Sequence, residues 1–447
     1  MSPERGEESI AQLFDVVRRD PRHFGALVRL GTLLAETGNE AAARTVYAQA
    51  VREHPTVAGP YVCLGTLLVD AGQHAEALRL FDAALALDPQ NREAQRGIAV
   101  IRERDDDLES AERVWRHAFP TGSFETSAYR GSGAPVRVLY LTSAVGGNVP
   151  MQHVLDPRLF EVTTLIAESV PPDIVLPPHD VIFNAVGDAD RCGRALAAAV
   201  RIVAASAAPV ANDPERVRET TRLRNAQRFA ALDDVVTART LPFRRDDLAS
   251  PSGVALLEAA GFGWPVLLRS PGYQTGEHFV RVAEPSELSR EAAQLPGVLA
   301  LAMEFVDSRS PDGAFRKYRV MTIGGRLYPI HLAIAPEWKV HYFRSAMAER
   351  SDYRDEEAAF LGDMHGTLGA RAVAALERVA ALLGVEYGGI DFALRPDGRV
   401  VVFEANATMV IVPPAADTRW DYRRDAIARA LEAARAALIS RARGAGE

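Results

Sequence analysis

The chain has 447 residues, of which 48% are apolar and 25% charged, an ordinary globular composition with room for roughly three domains. A net charge of −8 without any cluster of five or more basic residues argues against a nucleic-acid partner, and no apolar run reaches the ~18 residues of a membrane span. The opening MSPERGEESI lacks an apolar signal region, so the expected location is cytoplasmic.

Two cysteines, Cys63 and Cys192, are too few and too far apart for a disulfide framework or a metal site. Lysine usage is more informative. Of 51 basic residues only Lys317 and Lys339 are lysines. An arginine-biased sequence can exchange lysines that merely solvate a surface, whereas a compact ammonium set on a phosphate is not freely exchanged for a guanidinium. At least one of them is therefore a candidate phosphate contact.

The first 118 residues repeat. At an offset of 34, Leu30, Gly31, Ala43, Tyr47, Ala50 and Pro55 fall under Leu64, Gly65, Ala77, Phe81, Ala84 and Pro89. A further shift aligns Ala111, Trp115 and Ala118 with Ala77, Phe81 and Ala84, and an earlier half-unit ends at Pro21. Small residues at these points let paired helices approach, while Tyr47 and Phe81 fill the gap between neighbours. The spacing resembles the tetratricopeptide repeat, which implies an all-α solenoid. Such an array is either a packing unit or a concave surface for a peptide or protein partner.

Residues 119–135 are rich in Gly, Ser, Thr and Pro and read as a linker. From 136 to 212, apolar strands at VRVLYLTSAV and DVIFNAVG alternate with a helix-like segment, the pattern of a parallel, Rossmann-like α/β layer. Gly146, Gly147 and Asn148 form a turn that either simply reverses the chain or approaches a ligand. Residues 213–447 read as α+β: two strands around the loop SPGYQTGEH, a strand at LALAMEFVD, a hairpin turning at Gly324 and Gly325, a long helix, and a last hairpin turning at Pro396–Gly398.

That last hairpin carries the chemistry. Its second strand, VVVFEAN, ends in Glu404 and Asn406, two positions apart and so on one face. If the turn holds two or four residues, Asp391 lies across from Glu404 on that face; three residues would put them on opposite faces. Two opposed carboxylates repel and need a shared cation. Three hard oxygens at Asp391, Glu404 and Asn406 suit Mg²⁺, with Mn²⁺ as an alternative; nearby arginines such as Arg395 or Arg319 are the competing answer.

The order of elements from ~213 onward resembles the ATP-grasp superfamily, and G-I-D-F…V-F-E-A-N is similar to its metal-binding signature. The resemblance implies ATP held between two α+β halves and Mg²⁺-dependent activation of a carboxylate as an acyl phosphate, which an amine then attacks. It implies metal ligation by Asp391, Glu404 and Asn406. It also implies a phosphate contact from Arg269 and a flap around Gly272, Thr275 and Gly276; Lys317 is a cofactor-binding candidate on the lysine usage above. Adenine and ribose would meet Glu304, Phe305, Val306 and Asp307, with Arg319 set on the transferred phosphoryl group. Lys339 and His341, in the aromatic stretch APEWKVHYFRSAM, are further candidates for phosphate or substrate. Arg269 departs from the family's usual lysine, and ATMVIVPPA after Asn406 departs from its Pro- and Gly-containing acceptor loop. The expected function is a carboxylate–amine ligase on a peptide or amino acid recruited by the repeats. A kinase of the same fold and a repeat scaffold with a residual nucleotide site are the alternatives.

Overall fold

The computed structural model describes residues 9–444 except 106, 121, 172, 272, 274, 275, 277 and 341–344, and the side chains of 70 and 108. It divides into Met1–Ser123 with Glu168–Ile174, and Phe124–Ala167 with Val175–Glu447. No described helix is long and apolar enough to cross a membrane.

The first unit is helical. After α1 (Ile10–Arg19), three pairs follow: α2 (Phe24–Glu36) with α3 (Glu40–Glu53), α4 (Ala58–Asp70) with α5 (His74–Leu87), and α6 (Arg92–Arg104) with α7 (Leu108–Ala118). Leading helices start at 24, 58 and 92, so the period of the sequence is also the period of the backbone. The small residues are required sterically. A Cβ on Gly65 would stand 2.8 Å from the Phe81 ring and one on Gly97 2.3 Å from it, while a Cβ on Gly31 would stand 2.6 Å from Tyr47. Tyr47 completes its fit through a 3.0 Å bond between its hydroxyl and Thr32 Oγ1.

The second unit holds three sheets. In the first, β2 (Val136–Thr142) lies between β3 (Phe160–Ile166) and β4 (Val181–Asn184), with β5 (Val210–Ala211) beyond β4, all parallel. The stretch expected as a linker supplies an antiparallel edge strand, β1 (Phe124–Thr126), on β3. The second sheet is antiparallel, in the order β7 (Thr240–Arg244), β10 (Leu299–Glu304), β8 (Val266–Arg269), β9 (Phe279–Val282). The third runs β12 (Arg326–Ala335), β11 (Phe315–Ile323), β13 (Tyr387–Leu394), β14 (Val400–Asn406), with β6 (Val235–Thr237) parallel to β14 at its edge. This is an α/β region with mixed sheets. The turn at Gly324 and Gly325 has positive φ at both positions, 54° and 78°, the twist a two-residue hairpin needs.

One core joins the parallel sheet to the third sheet. Val138, Phe160 and Phe183 share it with Met321, Tyr387 and Met409, and the helix Arg424–Ala442 closes it with Ile427, Leu431 and Leu438. The alanine-rich C-terminal helix thus caps this core. Asn212 ties the same two layers together: its Nδ2 donates to the Tyr387 carbonyl at 2.8 Å and its Oδ1 accepts from the Tyr387 N–H at 2.8 Å, from a left-handed φ of 58° that Asn tolerates.

Replacing Phe81 by Ala is expected to destabilise the helical unit by about 3–5 kcal/mol, because a fully buried ring wedged against two glycines leaves a void that cannot close. Hydrogen exchange on α4–α6 of the full chain measures it, with loss of protection confined to those helices as the expected outcome.

Candidate active site

A cavity of about 930 Å³ is lined by the second and third sheets and by the loops that follow β2 and β4. These loops leave the carboxyl ends of adjacent parallel strands, where α/β sheets open a crevice. The Gly146–Asn148 turn contributes to both packing and wall. Gly147 has a φ of 72°, and a Cβ there would stand 2.7 Å from Cys192 Sγ, while Gly187 donates to the Gly147 carbonyl at 3.0 Å.

At the cavity's centre Asp391 pairs directly with Glu404 across β13 and β14. The turn does not bring this about in the expected way. Leu394 pairs with Val400, so the connection has five residues, an odd number, and unbroken pairing would set Asp391 against Phe403. A β-bulge at Phe403 shifts the register by one and restores the match, leaving Phe403 itself 39% exposed.

The two carboxylates meet different cations. Asp391, 3% exposed, accepts both Arg319 Nε at 2.6 Å and Arg319 Nη2 at 2.9 Å, and Lys317 Nζ stands 3.3 Å away. Burial alone would raise its pKa, but Arg319 and Lys317 outweigh burial and hold it well below the usual carboxylate range. Glu404 Oε1 accepts Arg222 Nη2 at 2.5 Å and Asn406 Nδ2 at 2.6 Å. Burial again opposes ionisation, and Arg222 with Arg269 overcomes it. Arg222 also lies 3.9 Å from Asp190, whose pKa is raised by burial against the pull of Arg222.

Arg269 ends β8, opposite Phe279, with its guanidinium 5.3 Å from that ring. It is 7% exposed, Nη2 donates to the Tyr273 carbonyl at 2.5 Å, and Nε is buried without a hydrogen-bond partner. Burial, with the like charge of Arg222 adding to it, pushes its pKa down to about 10, so it stays cationic at neutral pH. Lys339 approaches Phe279 as well, donating to its carbonyl at 3.0 Å. Trp338 meets Phe279 edge-on at 5.3 Å and Phe305 at 6.1 Å, which gives this end of the cavity an aromatic lining.

Of the residues expected from the sequence, Arg269, Gly276, Glu304, Phe305, Val306, Lys317, Arg319, Lys339, Asp391, Glu404 and Asn406 all line this one cavity. Gly272, Thr275 and His341 lie outside the described residues. Three expectations change. Asn406 turns its amide nitrogen, not its oxygen, to Glu404, because its oxygen accepts from Thr408 N at 3.0 Å and Thr408 Oγ1 at 2.8 Å. Asp307 pairs with Arg309, and the cavity wall there is Val306 and Ser308. Arg395 faces Asp397 at 3.8 Å instead of the carboxylate pair.

Asp391 and Glu404 fit a hard divalent ion in donor chemistry, being held ionised and adjacent, whereas Asn406 as placed fits a role in orienting Glu404. Among the described residues no group of three or more His, Cys, Asp and Glu is placed to hold a metal. Arg222, Asn225, His331 and Arg423 also line the cavity, and sequence reasoning missed them. Arg222 sits in a stretch so rich in arginine that nothing local marks it out.

A tetratricopeptide repeat family model matches residues 4–58 and 64–122, and ends before the first cavity residue, Gly147. No curated protein matches the chain. Among solved structures, the chain is similar to a crystal structure of MamA at 19% identity, over 25% of this chain and 67% of that one, with a TM-score of 0.24. It is similar to MamA, residues 41 to the end, from Desulfovibrio magneticus RS-1 at 22% identity, over 25% of this chain and 63% of that one, also with a TM-score of 0.24. The match thus spans less than two thirds of the second protein's length.

Asp391→Asn is expected to cost about 3–5 kcal/mol, since it removes the buried counter-charge of the half-buried Arg319 and Lys317. Because the folded-state pKa of Asp391 is depressed, its contribution is complete above the ordinary carboxylate value of about 3.9 and is lost as pH falls below it. Denaturant titrations between neutral pH and pH 3 check this: the acid limb of the wild-type profile is expected to flatten in the variant.

Proposed function

We propose that this chain, which carries tetratricopeptide repeats over its first quarter, is an ATP-dependent carboxylate–amine ligase of the ATP-grasp type. The observation that carries the reading is one cavity with aromatic rings at one end and Arg222, Arg269, Lys317 and Arg319 around two ionised carboxylates at its centre. An adenine is matched by Phe279, Phe305 and Trp338, and a triphosphate by the cations.

In this reading the substrate carboxylate attacks the γ-phosphorus, ADP leaves, and an amine displaces phosphate from the acyl phosphate. Arg319 and Arg222 turn from their carboxylates to phosphoryl oxygens as the nucleotide enters, and stabilise the charge that develops there. Asp391 and Glu404, released from those cations, would hold Mg²⁺, which neutralises phosphate charge when bound. No side chain of the protein needs to form a covalent bond, because positioning and charge neutralisation supply the rate. The repeats would bring a peptide or protein partner to the enzyme.

A second reading, a repeat scaffold with a residual nucleotide site, is favoured by one observation: both carboxylates already have protein cations for partners. Calorimetry with ATP, with and without Mg²⁺, separates the two. The ligase reading expects Mg²⁺-dependent binding that Glu404→Gln weakens by about tenfold or more, the scale of one lost charge-assisted contact. Absence of ATP binding by the wild-type chain sinks it and leaves the scaffold. With substrates supplied, release of free phosphate distinguishes a ligase from a kinase of the same fold, which would leave a phosphorylated product.

Lys339→Ala is expected to raise the Kd for ATP by about tenfold, as it removes a cation and the tie to the Phe279 backbone. Unchanged nucleotide affinity and unchanged turnover together would remove Lys339 from the site.

A further inference from the structure

Beyond the carboxylate pair, the cavity continues along β12 to a buried ionic group that the nucleotide reading does not use. His331 pairs with Arg319 across β11 and β12 and is 7% exposed. Burial first, and then the charge of Arg319, push its pKa well below the usual value, so the imidazole is neutral here. Next to it stands Arg423, 8% exposed, whose Nη2 lies 3.5 Å from the Ile330 carbonyl and whose Nε is 3.4 Å from Glu357. Glu357 is 0% exposed and also accepts from Tyr422 and, at 3.3 Å, from the Leu332 N–H.

A carboxylate with no exposure is expensive to bury, and Glu357 is placed where it fixes one guanidinium at the cavity wall. Lys317, Arg319 and Arg423 set three cations around Asp391 and Glu357, beside a neutral imidazole able to donate or accept. The adjoining wall is apolar, formed by Ile330, Val412, Pro413 and Trp420.

We propose that this corner is the subsite for the acid substrate, and that it takes a carboxylate carried on an apolar aliphatic or aromatic group. Arg423 and His331 bind the carboxylate, within reach of Arg319, and Trp420 with Pro413 covers the apolar part. The assignment deepens the ligase reading and rests on it for the acid's role as substrate. It also gives a use to the segment after Asn406: ATMVIVPPA leads the chain along the cavity wall to Trp420 and Arg423.

The test titrates the full chain with 4-methylpentanoate, 3-phenylpropionate and their primary amides by ligand-observed NMR, and with ATP by calorimetry. The wild-type protein is expected to bind each acid at least about tenfold tighter than its amide, the worth of one charged hydrogen bond. Arg423→Gln is expected to abolish that preference while ATP affinity changes by less than about twofold, well under the effect of losing a phosphate contact. Trp420→Ala, which leaves the ion pair intact, is expected to weaken acid and amide alike by about tenfold. Equal binding of acid and amide by the wild type, a preference that survives Arg423→Gln, or unaltered affinities in Trp420→Ala would each overturn the assignment. A wild-type chain that discriminates acids from amides but does not bind ATP keeps the subsite and refutes the ligase.

Discussion

Two carboxylates facing each other on neighbouring strands set the terms for the rest of the second unit. Asp391 and Glu404 are held within a sheet, where water cannot stabilise both charges, and their mutual repulsion adds to the cost of burial. The fold meets this with cations from separate elements. Arg319 and Lys317 come from the neighbouring strand, Arg222 from the helix Arg222–Phe229, and Arg269 from the second sheet. A cluster that draws on so many elements exists only when all of them are assembled. The same charges that stabilise the pair form the lining that a polyanion would meet.

The cavity is graded along its length. Aromatic rings occupy one end, the alternating charges the middle, and the Arg423 and His331 corner with its apolar wall the other end. This gradient assigns different chemistry to different places without moving any element. Phe279 joins two of the regions, because its ring lies near Trp338, its face meets the Arg269 guanidinium, and its carbonyl accepts from Lys339. Arg319 joins the other two, bound to Asp391 and paired in register with His331.

Much was legible in the sequence where a local period exists. Helix starts at 24, 58 and 92 follow from the spacing of Gly31, Gly65, Tyr47 and Phe81, since each repeat buries a ring against a small residue at a fixed distance along the chain. Hairpins with glycine at the turn were equally readable. Eleven expected site residues line one cavity: strand alternation puts Lys317 with Arg319 and Glu404 with Asn406 on common faces, whereas Gly276, Phe305, Val306 and Lys339 come from connecting segments. The strands β1, β3, β5, β6 and β7 went unread: β1, β5 and β6 are edges of two or three residues whose pairing partners are distant in sequence.

What the sequence determined by itself was the period of the repeats, the identity of the strands with strong apolar patterns, and the presence of two acids and an amide at a strand end. Tertiary structure alone decided which cations neutralise those acids. Arg222 reaches Glu404 across 182 positions of chain, and no local pattern distinguishes it from the other arginines; of Arg319 and Arg395, both offered by the sequence, the fold brings Arg319 to Asp391 across 72 positions. It also decided the register, for the odd turn would have set Asp391 against Phe403, and only the bulge sets it against Glu404. The orientation of Asn406 depended in turn on Thr408, whose backbone N–H and hydroxyl both donate to the amide oxygen and leave the nitrogen to face the carboxylate. Side-chain charge is written in the sequence, but its compensation depends on distances that only the folded chain creates.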